Sequence, residues 1–193
     1  MLTDLPNILT LLRIASIPVL VGLLSFHSPY ARLGAFIVYV FACVTDYYDG
    51  ALARRWHLSS DLGRMMDPIA DKLLVGSLLL ALAGLTHLPI FSIYAAILIM
   101  IREILVSGLR EYMAHQSLTL PSSRLAKWKT GIQMIAIGFL VAGDETAQLI
   151  QCSFLHASLV GGVLLWLSVI PTIVSGWRYL TVSLSQMTSN MVR

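Results

Sequence analysis

An all-α integral membrane protein, built as a bundle of six transmembrane helices with a polar cavity at the cytoplasmic side, is the fold class this sequence predicts. Three observations predict it. Of 193 residues, 57% are hydrophobic and 12% charged, with a mean hydropathy of +0.79, whereas a soluble domain carries roughly 25% charged residues. The apolar residues fall into six runs, most close to the roughly 20 residues that cross a hydrocarbon core. The charges inside those runs gather toward one end of them.

The first run, residues 8–26, is expected to be an uncleaved first span: Asp4 is the one charge ahead of it, Arg13 lies within it, and no small-x-small cleavage site follows. The others are residues 32–49, 68–85, 88–109, 129–143 and 154–180. The last is long enough to tilt or to extend into solvent. HSPY, THLP and GDETAQ mark short turns on one side, and the stretches after Ala51 and Arg110 make longer polar loops on the other. Arg32 alone falls beside a short turn, while Arg54, Arg55, Arg64, Arg110, Arg124, Lys127 and Lys129 flank the long loops. Positive charge stays inside, so both termini and both long loops are expected to be cytoplasmic. No linker, repeat or low-complexity tract divides residues 1–193, so one domain is expected.

A net charge of +3 could suggest nucleic acid, but the basic residues form no long run and membrane orientation explains them, so no nucleic-acid partner is expected. Cys43 and Cys152 lack CxxC spacing, which argues against a disulfide framework or a zinc site. His27, His57, His87, His115 and His156 are scattered without ligand spacing, and Trp56, Trp128, Trp166 and Trp177 suit interfacial anchoring.

Residues 45–72 carry five aspartates in this oily chain. Asp46 and Asp49 are three apart and Asp67 and Asp71 four apart, so each pair projects from one helical face. Two such faces meeting would place four carboxylates around one small volume, and unpaired they would repel one another into protonation. Divalent cations relieve this. All-oxygen ligands suit Mg²⁺ or Mn²⁺, and bridging carboxylates suit two ions about 4 Å apart. Gly50 and Ala53 remove bulk beside Asp49, and Arg54 supplies a fork for phosphate oxygens. Together these features describe a seat for a diphosphate.

The spacing reads Asp46-x-x-Asp49-Gly50-x-x-Ala53-Arg54, eight residues, then Gly63-x-x-x-Asp67-x-x-x-Asp71. It resembles the signature of the CDP-alcohol phosphatidyltransferases at every defined position. The resemblance implies six transmembrane helices, usually as a homodimer, and attack of an alcohol oxygen on the β-phosphorus of a CDP-linked lipid with release of CMP. It implies Asp46, Asp49, Asp67 and Asp71 as ligands of two divalent cations, Asp71 also as general base, and Asp49, Gly50, Ala53, Arg54 and Gly63 as contacts of the CDP donor. Asp61 lies outside the signature and suits a loop cap.

An acceptor carrying its own phosphate needs further cations. Arg102, Arg110, Lys127 and Lys129 are the candidates, because Arg102 and Arg110 lie on one broad helical face and a buried arginine calls for an anionic partner. Glu103 and Glu111 are expected to pair with these arginines. The stretches Leu5-Pro6-Asn7-x-Leu9-Thr10-x-x-Arg13, residues 102–111, and Lys127-x-Lys129-Thr130-x-x-Gln133 are similar to the bacterial phosphatidylglycerophosphate synthases within that family, with Ala126 departing from their usual glycine. That similarity implies transfer from CDP-diacylglycerol, among membrane phospholipids, to sn-glycerol 3-phosphate. Inositol phosphate, phosphatidylglycerol or serine as acceptor is the alternative within the family. A cation transporter or channel is the alternative outside it, and the apolar outer halves of the spans weigh against a conduction path.

Overall fold

Each apolar run folds as a helix. The computed structural model describes residues 5–56, 61–116, 124–149, 151 and 156–191; side chains 5–6, 47–56, 61–64, 115, 124, 126–127 and 187–191 lie outside the description. The helices are α1 (Leu5–Ser25), α2 (Pro29–Trp56), α3 (Asp61–Gly84), α4 (Ser92–His115), α5 (Arg124–Leu149) and α6 (Ala157–Met191). Among the described residues, three stretches are long and apolar enough to cross a membrane: Asn7–Ser25, Ser92–Ala114 and Ala157–Gln186. The other three helices, of 28, 24 and 26 residues, carry more charge. Leu80, Ile90 and Phe91 are each about three-quarters exposed, an apolar surface suited to lipid and not to water. Trp128 and Trp177 are also exposed, in keeping with interfacial anchoring.

Packing follows a ring. α1 lies against α2 and α3, α2 against α5, α5 against α6, and α6 against α4, while α3 touches both α4 and α5. The centre is lined at helical spacing, with Leu74, Leu78 and Leu82 of α3 facing Leu20 and Leu24 of α1, Ile99 of α4, Ile137 and Leu140 of α5 and Leu165 of α6 in one buried cluster. Lipid is as apolar as leucine, so close fit and hydrogen bonds decide helix pairing in a membrane. Tyr39 Oη donates to the Met134 carbonyl at 2.8 Å, fastening α2 to α5. At Gly161, α6 approaches α5 so closely that a Cβ would stand 2.7 Å from Leu140 Cγ and 3.0 Å from the Ala136 carbonyl oxygen. Gly161→Val is therefore expected to cost about 1–3 kcal/mol. Thermal unfolding in detergent checks this, and an unchanged Tm would show that the two helices can part without cost.

Two turns sit where the sequence places them. The HSPY turn is closed by Ser28 N donating to Phe26 O at 2.9 Å, and Pro29 opens α2, where a missing N–H costs nothing. The THLP turn has Thr86 at φ 57° and satisfies the Leu82 carbonyl through His87 N at 2.9 Å and Leu88 N at 3.1 Å. The polar stretches behave differently. Helix α2 continues through Ala51 to Trp56, and α4 through Arg110 to His115, since Ala, Leu, Arg and Glu are good helix formers whatever their polarity. Residues 57–60 and 117–123 lie outside the described residues.

GDETAQ is not a plain turn. At Gly143 (φ 64°, ψ 174°) the helix breaks, then resumes to Leu149. Arg32 explains the break: it is buried and not a loop-side charge, and its Nη2 donates to the Leu140 carbonyl at 3.1 Å just ahead of the kink. Glu145 lies 3.9 Å from Arg32 Nη1. A Cβ on residue 143 would stand 2.6 and 2.7 Å from the two terminal nitrogens of that guanidinium, so the position suits glycine for both its positive φ and its lack of bulk. Beyond the kink, Asp144 Oδ1 accepts from Ser158 N at 3.0 Å, placing a carboxylate at the positive end of α6.

Candidate active site

Three of the four signature aspartates have described side chains, and α1 ties them together. Asn7, Thr10 and Arg13 recur at three-residue spacing along α1 and are all at most 2% exposed. Arg13 Nη2 lies 2.7 Å from Asp46 Oδ1 on α2. Arg13 Nη1 donates to Asp71 Oδ1 on α3 at 3.0 Å. Thr10 Oγ1 donates to Asp67 Oδ1 at 2.7 Å. One buried guanidinium thus bridges the two acidic pairs, and Asp67 lies near enough to act electrostatically on Asp46. Charge-assisted contacts of this length fix carboxylate orientation as well as supplying energy.

Asp49, Gly50, Ala53 and Arg54 ride on α2 and Gly63 on the first turn of α3, but their side chains lie outside the described residues. Asp61 is the first residue of α3. Among the described residues, no group of three or more His, Cys, Asp or Glu side chains is placed to hold a metal ion. The donors still fit a hard cation in kind: Asp46, Asp67 and Asp71 offer oxygen alone, and Arg13 already supplies positive charge between two of them. A divalent ion there would share these carboxylates with Arg13.

A second polar group joins α4, α5 and α6. Arg102 Nη1 donates to Glu103 Oε1 at 3.1 Å, and Arg102 Nη2 donates to Ser175 Oγ at 3.0 Å. Lys129 Nζ donates to the same Glu103 oxygen. The guanidinium carbons of Arg102 and Arg110 each lie 5.8 Å from the centroid of the Tyr179 ring. Among the described residues, Arg102 Nε and, one turn beyond Lys129, Gln133 Nε2 are buried without a hydrogen-bond partner. Helix α3, which carries Asp67 and Asp71, packs against both α4 and α5, which carry the second group.

The structure therefore gathers Arg102, Arg110 and Lys129 around Glu103 and Tyr179, while Lys127 lies on α5 with its side chain outside the described residues. Glu103 pairs with both Arg102 and Lys129, so one carboxylate offsets part of their charge. Sequence reasoning gave no role to Thr10, Arg13, Ser175 or Tyr179. A signal existed for each helix. α1 repeats polar residues at 7, 10 and 13 in an apolar run, and α6 does so at Ser168, Thr172 and Ser175, all at most 1% exposed.

Known proteins resemble this chain over most of its length. The curated CDP-diacylglycerol–glycerol-3-phosphate 3-phosphatidyltransferase of Rickettsia bellii is 41% identical over 179 residues, covering 91% of this chain and 93% of its own. The protein of that name from Bacillus subtilis is 35% identical over 188 residues, covering 91% and 93%. The crystal structure of Mycobacterium tuberculosis phosphatidylinositol phosphate synthase in apo form shares the fold, with a TM-score of 0.64 at 18% identity over 93% of this chain and 89% of that one. The family model described as CDP-alcohol phosphatidyltransferase matches residues 3–174, and the chain belongs to that family.

Proposed function

We propose that this membrane protein transfers the phosphatidyl group of CDP-diacylglycerol to sn-glycerol 3-phosphate, giving phosphatidylglycerol phosphate and CMP. The observation that carries the reading is the presence, on helices packed together, of two groups of opposite character: carboxylates bridged by α1, and arginines and a lysine gathered at Tyr179 and Glu103. The names of the relatives support both substrates.

Enzymes of this family generally depend on divalent metal, and here Asp46, Asp49, Asp67 and Asp71 would hold two ions, Mg²⁺ or Mn²⁺. Bound there, the ions would neutralise the diphosphate and stabilise the departing CMP. Gly50, Ala53 and Gly63 leave room for the CDP moiety, and Arg54 contacts its phosphates. Arg102, Arg110, Lys127 and Lys129 hold the phosphate of the acceptor. Asp71 takes the proton from the acceptor hydroxyl as its oxygen bonds to the β-phosphorus, and the bond from that phosphorus to the CMP oxygen breaks. Arg13 keeps Asp71 oriented for this step.

The same reading makes all six helices membrane spans in one domain. Even the 24 residues of α3 reach about 36 Å at 1.5 Å per residue. It puts the polar site and both termini on the cytoplasmic face of a bacterial inner membrane, in a homodimer. Purified protein given CDP-diacylglycerol and Mg²⁺ should release CMP only when glycerol 3-phosphate is added, and EDTA should stop it. CMP release that ignores the acceptor would instead indicate a hydrolase.

A further inference from the structure

We propose that Tyr179 is a positioning residue, whose ring sets Arg102 and Arg110 in place for the acceptor phosphate. The inference rests on the acceptor-phosphate reading above and adds a residue from a helix that the signature does not reach. Tyr179 is 5% exposed, and both guanidinium carbons lie 5.8 Å from its centroid. Arg102 and Arg110 leave α4 at points about 12 Å apart along its axis, at 1.5 Å per residue. Their side chains nevertheless meet at one ring. An aromatic face attracts a guanidinium without consuming its N–H donors, so an arginine held this way can still bind phosphate oxygens with its fork.

Helix α6 forms the cradle on one face. Ser175 Oγ accepts from Arg102 Nη2 at 3.0 Å and itself donates to the Thr172 carbonyl at 3.1 Å. Gly176 brings the backbone so near that a Cβ there would stand 3.1 Å from Arg102 Cγ. Tyr179 is one turn from Ser175 and closes the cradle. Arg102 has further partners in Glu103 and Ser175. Arg110 is exposed, and among the described residues the Tyr179 ring is the contact that orients it. Glu103 offsets the charge of Arg102, and the ring holds Arg110 beside it. The arrangement is a preformed phosphate clamp, built from α4 and aimed by α6.

The test uses the full-length enzyme in lipid–detergent micelles with Mg²⁺, measuring kcat and the KM of CDP-diacylglycerol and of glycerol 3-phosphate separately. Tyr179→Leu should raise the acceptor KM about fivefold to thirtyfold and leave the donor KM within about twofold. Tyr179→Phe keeps the ring and should raise the acceptor KM far less than Tyr179→Leu. Adding Tyr179→Leu to Arg110→Ala should raise the acceptor KM less than the product of the two single effects, because part of the contact is already gone. Mono-, di- and trifluorinated phenylalanine at position 179 keeps the shape while weakening the ring face, and should raise the acceptor KM stepwise; this series remains decisive if the leucine variant fails to fold. An acceptor KM unmoved by Tyr179→Leu, an equal rise for both substrates, or no trend across the fluorinated series would overturn the inference. Arg110→Ala separates the two levels: if it does not raise the acceptor KM, the acceptor-site reading itself fails, whereas if it does and Tyr179→Leu does not, only the role of Tyr179 fails.

Discussion

Asp71→Asn lowers kcat about 100-fold to 10,000-fold, the usual loss when a general base is removed, while CDP-diacylglycerol still binds. The substitution can keep the contact with Arg13. Arg13 Nη1 donates to Asp71 Oδ1 at 3.0 Å, and an asparagine oxygen at that place can accept the same hydrogen bond. What asparagine cannot do is take a proton from an alcohol at neutral pH. Steady-state kinetics with a separate donor-binding measurement checks the prediction, and an asparagine variant retaining near-parental kcat would move the base elsewhere.

Arg13→Met removes the bridge between Asp46 and Asp71, whose nearest contacts to it are 2.7 and 3.0 Å. Hydrogen bonds to charged groups contribute about 1.5–3 kcal/mol each, and exposure of the two carboxylates to solvent reduces what is felt here, so a net loss of about 2 kcal/mol is expected without metal. The two carboxylates then lack the guanidinium between them. Added Mg²⁺ should therefore raise the Tm of Arg13→Met more than that of the parent enzyme, since an ion bound to the folded form stabilises it by mass action. Thermal unfolding with and without Mg²⁺ reads this directly. An equal Mg²⁺ response in both proteins would mean that the ion and Arg13 do not share these carboxylates.

The pairing of the aspartates was legible in the sequence because its information is local. Asp46 and Asp49, and Asp67 and Asp71, sit at spacings that fix one helical face whatever the tertiary structure. Helix existence was legible for the same reason, since runs of apolar residues admit few alternatives. The bridge was not. Arg13 meets Asp71 across 58 positions of sequence and Thr10 meets Asp67 across 57, and no periodicity reports which helices become neighbours. Tyr179 was hidden in the same way, because its significance arises only from the packing of α4 against α6.

The helix ends were misjudged where polarity stood in for conformation. Residues 51–56 are polar enough to suggest a loop, yet their helix-forming side chains keep α2 going. GDETAQ suggests a turn, yet one glycine breaks α5 while Arg32, distant in sequence, occupies the space beside it. Arg32 likewise read as a loop-side charge and is a buried strut. Charge alone does not say whether an arginine faces water or a broken helix.

The most direct test of the account gives purified protein CDP-diacylglycerol, Mg²⁺ and, in parallel, sn-glycerol 3-phosphate, inositol phosphate, serine or phosphatidylglycerol, and identifies the lipid product by mass spectrometry. The account predicts phosphatidylglycerol phosphate with stoichiometric CMP from glycerol 3-phosphate, and little or no product from the others. Turnover of serine or inositol phosphate with none of glycerol 3-phosphate would contradict it.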